Sequence, residues 1–459
     1  MKKSLMTFLA IPCLARGIFA QGTPVTLASV HDTVRHVSID SDTSFHPIDL
    51  AKAVQLAQRN SPLSVSARGQ TTIANAAVKQ AYAAFIPSAT ITAGQSQQTG
   101  DRIGQSGTIV PFEPPHPWSY TTGLRASVRL FDGGQRFYQI SQSKAEVGAA
   151  EANDVAQQFS VALQVKTQYF AILAARESEV AALAQLDQAQ ADQAAASARV
   201  RAGAATLSDS LRTVIEVGNA RLALVTAQNN LRIASAALTR LVAAPYLVTA
   251  QSSDTLEQPI APIDSASLVQ LAQQGPGVAQ AAAQLVSALA AVRSAKTSYF
   301  PTLDLSFSRG GSGYAPYGTG DKTVDRLYPY ANTFSFSASY PLFNNFQREY
   351  TLTQARVNQQ TADVTLRDAR FAAQQGLTQQ LASLRSAQEQ IDIQQASIAS
   401  AEEDLRVQQQ RYALGASTLL DLLTSQTTLN QQRAALIQAR LSYRLARAQI
   451  EAIIGRDLQ

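Results

Sequence analysis

Two periods of apolar and polar positions divide this chain. From Trp118 to Leu130 the even positions carry Trp118, Tyr120, Thr122, Leu124, Ala126, Val128 and Leu130, alternating with Ser119, Thr121, Gly123, Arg125, Ser127 and Arg129. Phe334, Phe336, Ala338, Tyr340 and Leu342 alternate with Thr333, Ser335, Ser337 and Ser339, and Leu303, Leu305 and Phe307 with Thr302, Asp304, Ser306 and Ser308. A weaker alternation places Ala89, Ile91 and Ala93 on one side of Ser88 to Ser96. Period two marks strands with one apolar face, expected here over about 88–97, 118–131, 301–309 and 330–343. About ten residues is the length of a tilted strand across a bilayer. Trp118, Tyr120, Tyr328 and Tyr330 gather at one end of these strands and Phe85, Phe131, Phe300 and Phe343 at the other, like the aromatic girdles of a membrane barrel.

The second period is seven. Leu377, Leu384, Ile391, Ile398, Leu405 and Tyr412 follow it, as do Leu422, Leu429, Leu436, Tyr443 and Ile450, and Val217, Leu224, Leu231 and Leu238. Such a repeat predicts long helices packed side by side as coiled coils. No proline lies between Pro117 and Pro245 or after Pro341, so helices there run unbroken. Long helical pairs are expected over about 134–243 and 345–454, with Gly203 and Gly415 at tight turns between antiparallel partners.

The chain is also written twice. Arg199/Arg411, Gly203/Gly415, Thr206/Thr418 and Asp209/Asp421 stand 212 residues apart, and so do Leu130-Phe-Asp-Gly-Gly-Gln-Arg136 and Leu342-Phe-Asn-Asn-Phe-Gln-Arg348. Two structural repeats follow, 48–245 and 265–459, joined by a linker over 246–264. Each has helix, strand, loop, strand and a long helical pair, with the loops in Gly100 to Pro117 and Arg309 to Pro329.

Composition then narrows the class. Lys2 and Lys3, the apolar Leu5 to Leu14, and Ile18 and Ala20 before Gln21 form the pattern of a secretory signal peptide over 1–20. Pro12 before Cys13 fits a lipoprotein anchor poorly. Loss of Lys2, Lys3 and Arg16 takes the formal charge from +5 to +2, so the basic balance is no argument for nucleic acid. The mature chain has no cysteine, which excludes disulfides, thiolate nucleophiles and cysteine metal sites. No run of about 18 consecutive apolar residues follows the leader, so no transmembrane helix is expected. His31, His36, His46 and His116 lack ligand spacing, and residues 21–47 read as a polar N-terminal tail. Asp132-Gly133-Gly134 reads as a strand-to-helix turn rather than a phosphate loop. No catalytic constellation is present, and neither an enzyme nor a cofactor is expected.

Four strands cannot close a barrel, and an open edge in lipid costs several kcal/mol per unpaired backbone group. Copies must combine, giving about 8 strands in a dimer or about 12 in a trimer, and only the larger leaves a water-filled bore. The two-copy layout, the Leu130-Phe-Asp-Gly-Gly134 strand exit and the turn Arg411-Tyr-Ala-Leu-Gly-Ala-Ser-Thr-Leu-Leu-Asp-Leu-Leu423 resemble the TolC-type outer-membrane efflux family from about Asp49 to Gly455. That resemblance implies a mixed α and β membrane protein. Its parts would be a trimeric, 12-stranded transmembrane β-barrel, about four strands per protomer, and a long periplasmic α-helical barrel. It further implies a passive exit channel in the outer membrane lipid. A periplasmic adaptor (membrane fusion) protein and an inner-membrane pump or ABC transporter would be its partners.

On the matched positions, the resemblance puts Asp421 in a ring of like charges at the narrow entrance, and Tyr412 and Asp209 in links that hold the entrance shut. Ser417 stands where some members carry a gate-locking arginine and Thr424 where they carry a second aspartate, so a weaker lock and a weaker cation ring are expected. Helix-start acids explain Asp209 and Asp421 equally simply, and seam packing explains Tyr412. Arg125, Arg129 and Asp304 face the expected lumen. The competing classes are a periplasmic adaptor-like protein and a structural coiled-coil fibre; strand pairs with aromatic ends argue against both. Drug efflux and protein secretion stay open.

Overall fold

A computed structural model describes residues 45–96, 101–103, 107–111, 118–256, 265–315 and 330–458. The first half runs β1 (His46–Ile48), α1 (Leu50–Asn60), α2 (Pro62–Ala83), β2 (Ser88–Ser96), β3 (Asp101–Ile103), β4 (Ile109–Pro111), β5 (Trp118–Phe131), α3 (Gln135–Arg201) and α4 (Leu207–Val242). The second runs β6 (Val248–Ala250), α5 (Ser265–Ala272), α6 (Pro276–Lys296), β7 (Thr302–Ala315), β8 (Ala331–Ser339), α7 (Gln347–Ala413) and α8 (Leu419–Ile454). The leader, His31, His36, His116 and Tyr328 lie outside the described residues.

The long hairpins match residue for residue in length: α3 and α7 have 67 residues each, α4 and α8 have 36. At ~1.5 Å per residue the long members reach roughly 100 Å. Their seams differ in chemistry. Leu377, Leu384 and Ile391 are buried on α7, and Leu422, Leu429, Tyr443 and Ile450 on α8, each large aliphatic group contributing about 1.5–3 kcal/mol. In the first hairpin the buried sevens are small, Ala182, Ala189 and Ala196 on α3 and Thr213, Ala220 and Ala227 on α4, while Val217, Leu224 and Leu231 are only half-buried. A count of large residues alone misses that stripe, although its period is the same.

Two cores serve the two halves. Val161, Val165, Tyr169 and Ile172 of α3 pack with Ala53, Leu238, Val242 and Val248, and Leu377 and Leu384 pack with Leu268, Tyr443 and Ile450. The first core includes elements that the sequence reading left as tail and linker. β1 pairs in parallel with β6, His46 opposite Val248, so His46 is a strand residue beside Tyr246 (ring centroids 4.6 Å apart) and not part of a flexible tail. The buried Tyr169 hydroxyl fastens this small sheet to α3. It donates to Asp254, lies 3.1 Å from the Ile48 carbonyl and accepts from the Gln251 N–H. Burial, then the bond to Asp254, pushes the phenol above its ordinary range.

The main sheet has the order β2-β5-β7-β8, antiparallel throughout, with β2 and β8 at the edges. Its register collects the alternating apolar residues on one face: Ala89, Ala126, Phe307 and Phe334 form one row, and Val128, Leu305 and Phe336 lie in the next. β7 runs six residues beyond the expected Arg309, pairing with β5 up to Ala315 opposite Trp118. The extension is glycine-rich (Gly310, Gly311, Gly313) and its sequence has no apolar–polar alternation to betray it; its backbone pairs with β5. A short hairpin of β3 and β4 occupies part of the expected first loop. Residues 267–299 are apolar and long enough to pass for a membrane helix. Gly275 and Pro276 break that run into α5 and α6, and buried Val278 and Ala281 pack on Leu366 of α7.

Each strand reaches its long helix through two left-handed residues, Gly133 and Gly134 in the first half, Asn345 and Phe346 in the second. A Cβ at Gly133 would stand 2.3 Å from that of Phe300, so glycine is required there. Arg136 and Arg348 brace the two corners alike: each donates to the carbonyl six residues before it, Leu130 or Leu342, and each lies over a ring, Phe85 at 4.6 Å or Tyr299 at 5.1 Å. Asp132 also accepts from Arg136 Nε at 2.7 Å, whereas Asn344 Oδ1 and Arg348 Nε, the equivalent atoms, are buried without partners. Asn344→Asp is expected to raise the melting temperature of the detergent-extracted protein, a gain of about 1.5–3 kcal/mol for a hydrogen bond to a charged group, and Asp132→Asn to lower it. Circular-dichroism melts read both; two unchanged melts would dismiss this pair as a fastener.

Candidate functional site at the hairpin ends and the strand sheet

At the far end of each hairpin the chain reverses through five residues of identical geometry. Gly203 (φ 74°) and Gly415 (φ 76°) take the left-handed position after α3 and α7. The next N–H, of Ala204 or Ala416, bonds back to the Arg199 or Arg411 carbonyl at 2.8 and 2.7 Å, closing a Schellman motif that only glycine enters without strain. Thr206 and Thr418 then cap α4 and α8. Each hydroxyl accepts from the N–H of Asp209 or Asp421 at 3.2 Å, and each carboxylate accepts from the threonine N–H at 3.2 and 2.9 Å. Both aspartates are therefore capping-box residues. Asp421 is exposed and Asp209 half-buried. The Thr418 backbone and hydroxyl hold the Asp421 carboxyl below the usual aspartate range.

The Tyr412 ring lies under the Arg199 guanidinium, 4.5 Å from the ring centroid, and Arg199 Nη1 donates to the Tyr412 carbonyl at 2.7 Å. Arg199 thus joins the tip of one hairpin to the tip of the other. Sequence reasoning used it only as a repeat marker; its place one turn before a helix-ending glycine was the available signal. The Tyr412 hydroxyl and Ser417 Oγ are buried without a hydrogen-bond partner among the described residues. Thr424 spends its hydroxyl on the Leu420 carbonyl of its own helix at 2.8 Å.

Further polar links climb the seam between α3 and α8: Asp192 with Gln426 (2.6 Å), Glu177 with Arg440 (3.9 Å), and Glu451 with Lys166 (2.6 Å). Burial alone would lower the Lys166 pKa, but its bonds to Asp457 and Glu451 outweigh it and raise the ammonium above its ordinary range.

On the polar face of the sheet, Arg129 Nε meets Asp304 Oδ1 at 2.9 Å across β5 and β7. Arg125 shares that face between Thr90 and Ser308, so the paired charges cancel and Arg125 is left as the excess. No group of three or more histidine, cysteine, aspartate or glutamate side chains able to hold a metal occurs among the described residues.

Paired long hairpins on a one-faced antiparallel sheet define a class of outer-membrane channel protein. The model of the outer membrane efflux protein family matches residues 53–244 and 268–456, and the chain belongs to that family. Membership makes it an outer-membrane efflux protein. Protein CyaE of Bordetella pertussis is 28% identical over 410 residues, covering 86% of this chain and 82% of that one. The pyoverdine export outer membrane protein OpmQ of Pseudomonas aeruginosa is 26% identical over 417 residues, covering 90% and 85%. CusC, a protein solved in relation to transmembrane channel formation, shares the fold with a TM-score of 0.73, at 19% identity over 90% of this chain and 94% of its own.

Thr418→Ala is expected to destabilise the start of α8 by about 1 kcal/mol. Because the Asp421 pKa is lowered, its capping contribution is complete above the ordinary aspartate range and is lost only as pH falls through the lowered value. Hydrogen exchange at the amides of Thr418 to Leu422 follows both effects; protection that fades at the ordinary aspartate pKa would contradict the assignment.

Proposed function

We propose that three copies of this chain form the exit duct of a tripartite efflux or type I secretion system. The carrying observation is the sheet: four antiparallel strands, one apolar face, and two unpaired edges, β2 and β8. In lipid those edges must be paired, and pairing β8 of one copy with β2 of the next closes about 12 strands around a water-filled bore. The polar face with Arg125, Arg129 and Asp304 then lines the lumen, and the hairpins extend it as a periplasmic α-helical barrel. A periplasmic adaptor and an inner-membrane pump or transporter supply cargo and energy, and the duct itself is passive. Small molecules or polypeptide are the cargo class; similarity to OpmQ, a pyoverdine export outer membrane protein, supports small molecules.

The hairpin ends form the gate. Three Asp421 carboxylates ring the entrance and select cations, with no second acidic ring at Thr424 and no arginine lock at Ser417. In this reading Arg199 is the clasp, holding Tyr412 and so the two hairpins together at their tips, while Asp209 serves first as a helix cap.

Light scattering of the detergent-extracted mature protein, corrected for bound detergent, is expected to give a trimer; a stable monomer without detergent would sink the barrel. In planar bilayers Asp421→Ala is expected to lose cation preference. Arg199→Ala is expected to raise single-channel conductance severalfold by releasing the tips. Unchanged conductance in that variant would remove the clasp.

A further inference from the structure

Arg309 stands on the wrong face of the sheet for a lumen charge. The register sets it in one row with Ile91, Leu124 and Asn332, on the face of Ala126, Phe307 and Phe334, opposite to the face of Arg125, Arg129 and Asp304. Among the described residues of the four strands it is the one charged side chain on the apolar face. It is exposed, and its guanidinium lies over the Tyr330 ring, 5.3 Å from the centroid. The Tyr330 hydroxyl accepts from Thr122 Oγ1 at 3.3 Å, so the ring is itself held.

Height explains what such a residue does there. Phe300 is exposed at the helix end of the sheet, nine residues before Arg309. At ~3.3 Å per residue and a tilt of about 40°, nine residues rise roughly 23 Å, against an outward apolar band about 25 Å tall. Arg309 therefore marks the edge of the hydrocarbon on the side away from the helices, the leaflet facing the exterior. An arginine is costly at the bilayer midplane and nearly without cost at the interface. A planar guanidinium with its fork of donors is the side chain that best matches a phosphate, and stacking on an aromatic ring pre-orients it. Asn332 in the same row adds an amide donor to that patch.

We propose that Arg309, oriented by Tyr330, binds a phosphate group of the outer-leaflet glycolipid, one site per protomer on the outside of the barrel. The proposal rests on the barrel reading, with the apolar face outward. Its test is native mass spectrometry of the full mature protein titrated with diphosphorylated lipid A and with the phosphate-free form. The unsubstituted chain is expected to bind the phosphorylated lipid about tenfold more tightly, R309Q to lose about that factor, and R309K to keep part of it as a point charge. Equal affinity for the two lipids, which needs no variant, or wild-type binding by R309Q overturns the site. Millimolar inorganic phosphate is expected to leave the bound lipid in place; full displacement would identify a free anion, not a lipid, as the ligand. The face is read separately from a fluorophore on Phe336→Cys and its quenching by brominated lipid. No quenching removes the barrel reading, whereas quenching together with wild-type lipid binding by R309Q removes only this site.

Discussion

A backbone amide in hydrocarbon has no water to bond, and most of this chain is arranged around that fact. Four strands satisfy one another internally and leave β2 and β8 as the edges of the sheet among the described residues; an unpaired edge costs several kcal/mol per group in lipid. In the proposed assembly the debt is cleared by neighbouring copies. The number of strands thereby fixes the number of chains around the axis, and each chain delivers two strand pairs into two long hairpins.

The turn from strand to helix is the structural joint of that plan, and the halves build it differently. Glycines take the left-handed positions in the first half, while Asn345 and Phe346 take them in the second, where a side chain makes that conformation less favourable. The first corner closes with a buried Asp132–Arg136 pair; the second leaves Asn344 Oδ1 and Arg348 Nε without one. A stacked arginine and its bond to the carbonyl six residues earlier are common to both. What the two corners share is geometry rather than charge.

The same economy governs the hairpin ends. Asp209 and Asp421 satisfy orphan amides at helix starts, so their positions are determined by local chain geometry before any channel chemistry is considered. A capping role and a charged ring are compatible, because the cap holds the carboxylate ionised and exposed at Asp421. Tyr412 has no such local explanation. Its partner is Arg199, across the hairpins, and the two small-residue stripes of α3 and α4 leave the second hairpin to carry the bulkier seam.

The sequence alone determined whatever depends on neighbours a few residues away: the one-faced strands, the unbroken helices, and the glycine turns at Gly203 and Gly415. Each is written in a local period or in a backbone conformation few residues adopt. The three-residue strands β1 and β6 have no period to display and exist only because residues some 200 positions apart pair. The glycine tail of β7 is a strand only because β5 lies beside it. Tertiary structure likewise decided that Arg199 meets Tyr412, and that Arg309 shares a row with Leu124. Periodicity is a property of one segment, whereas the choice of partner is settled by which segments the fold brings together.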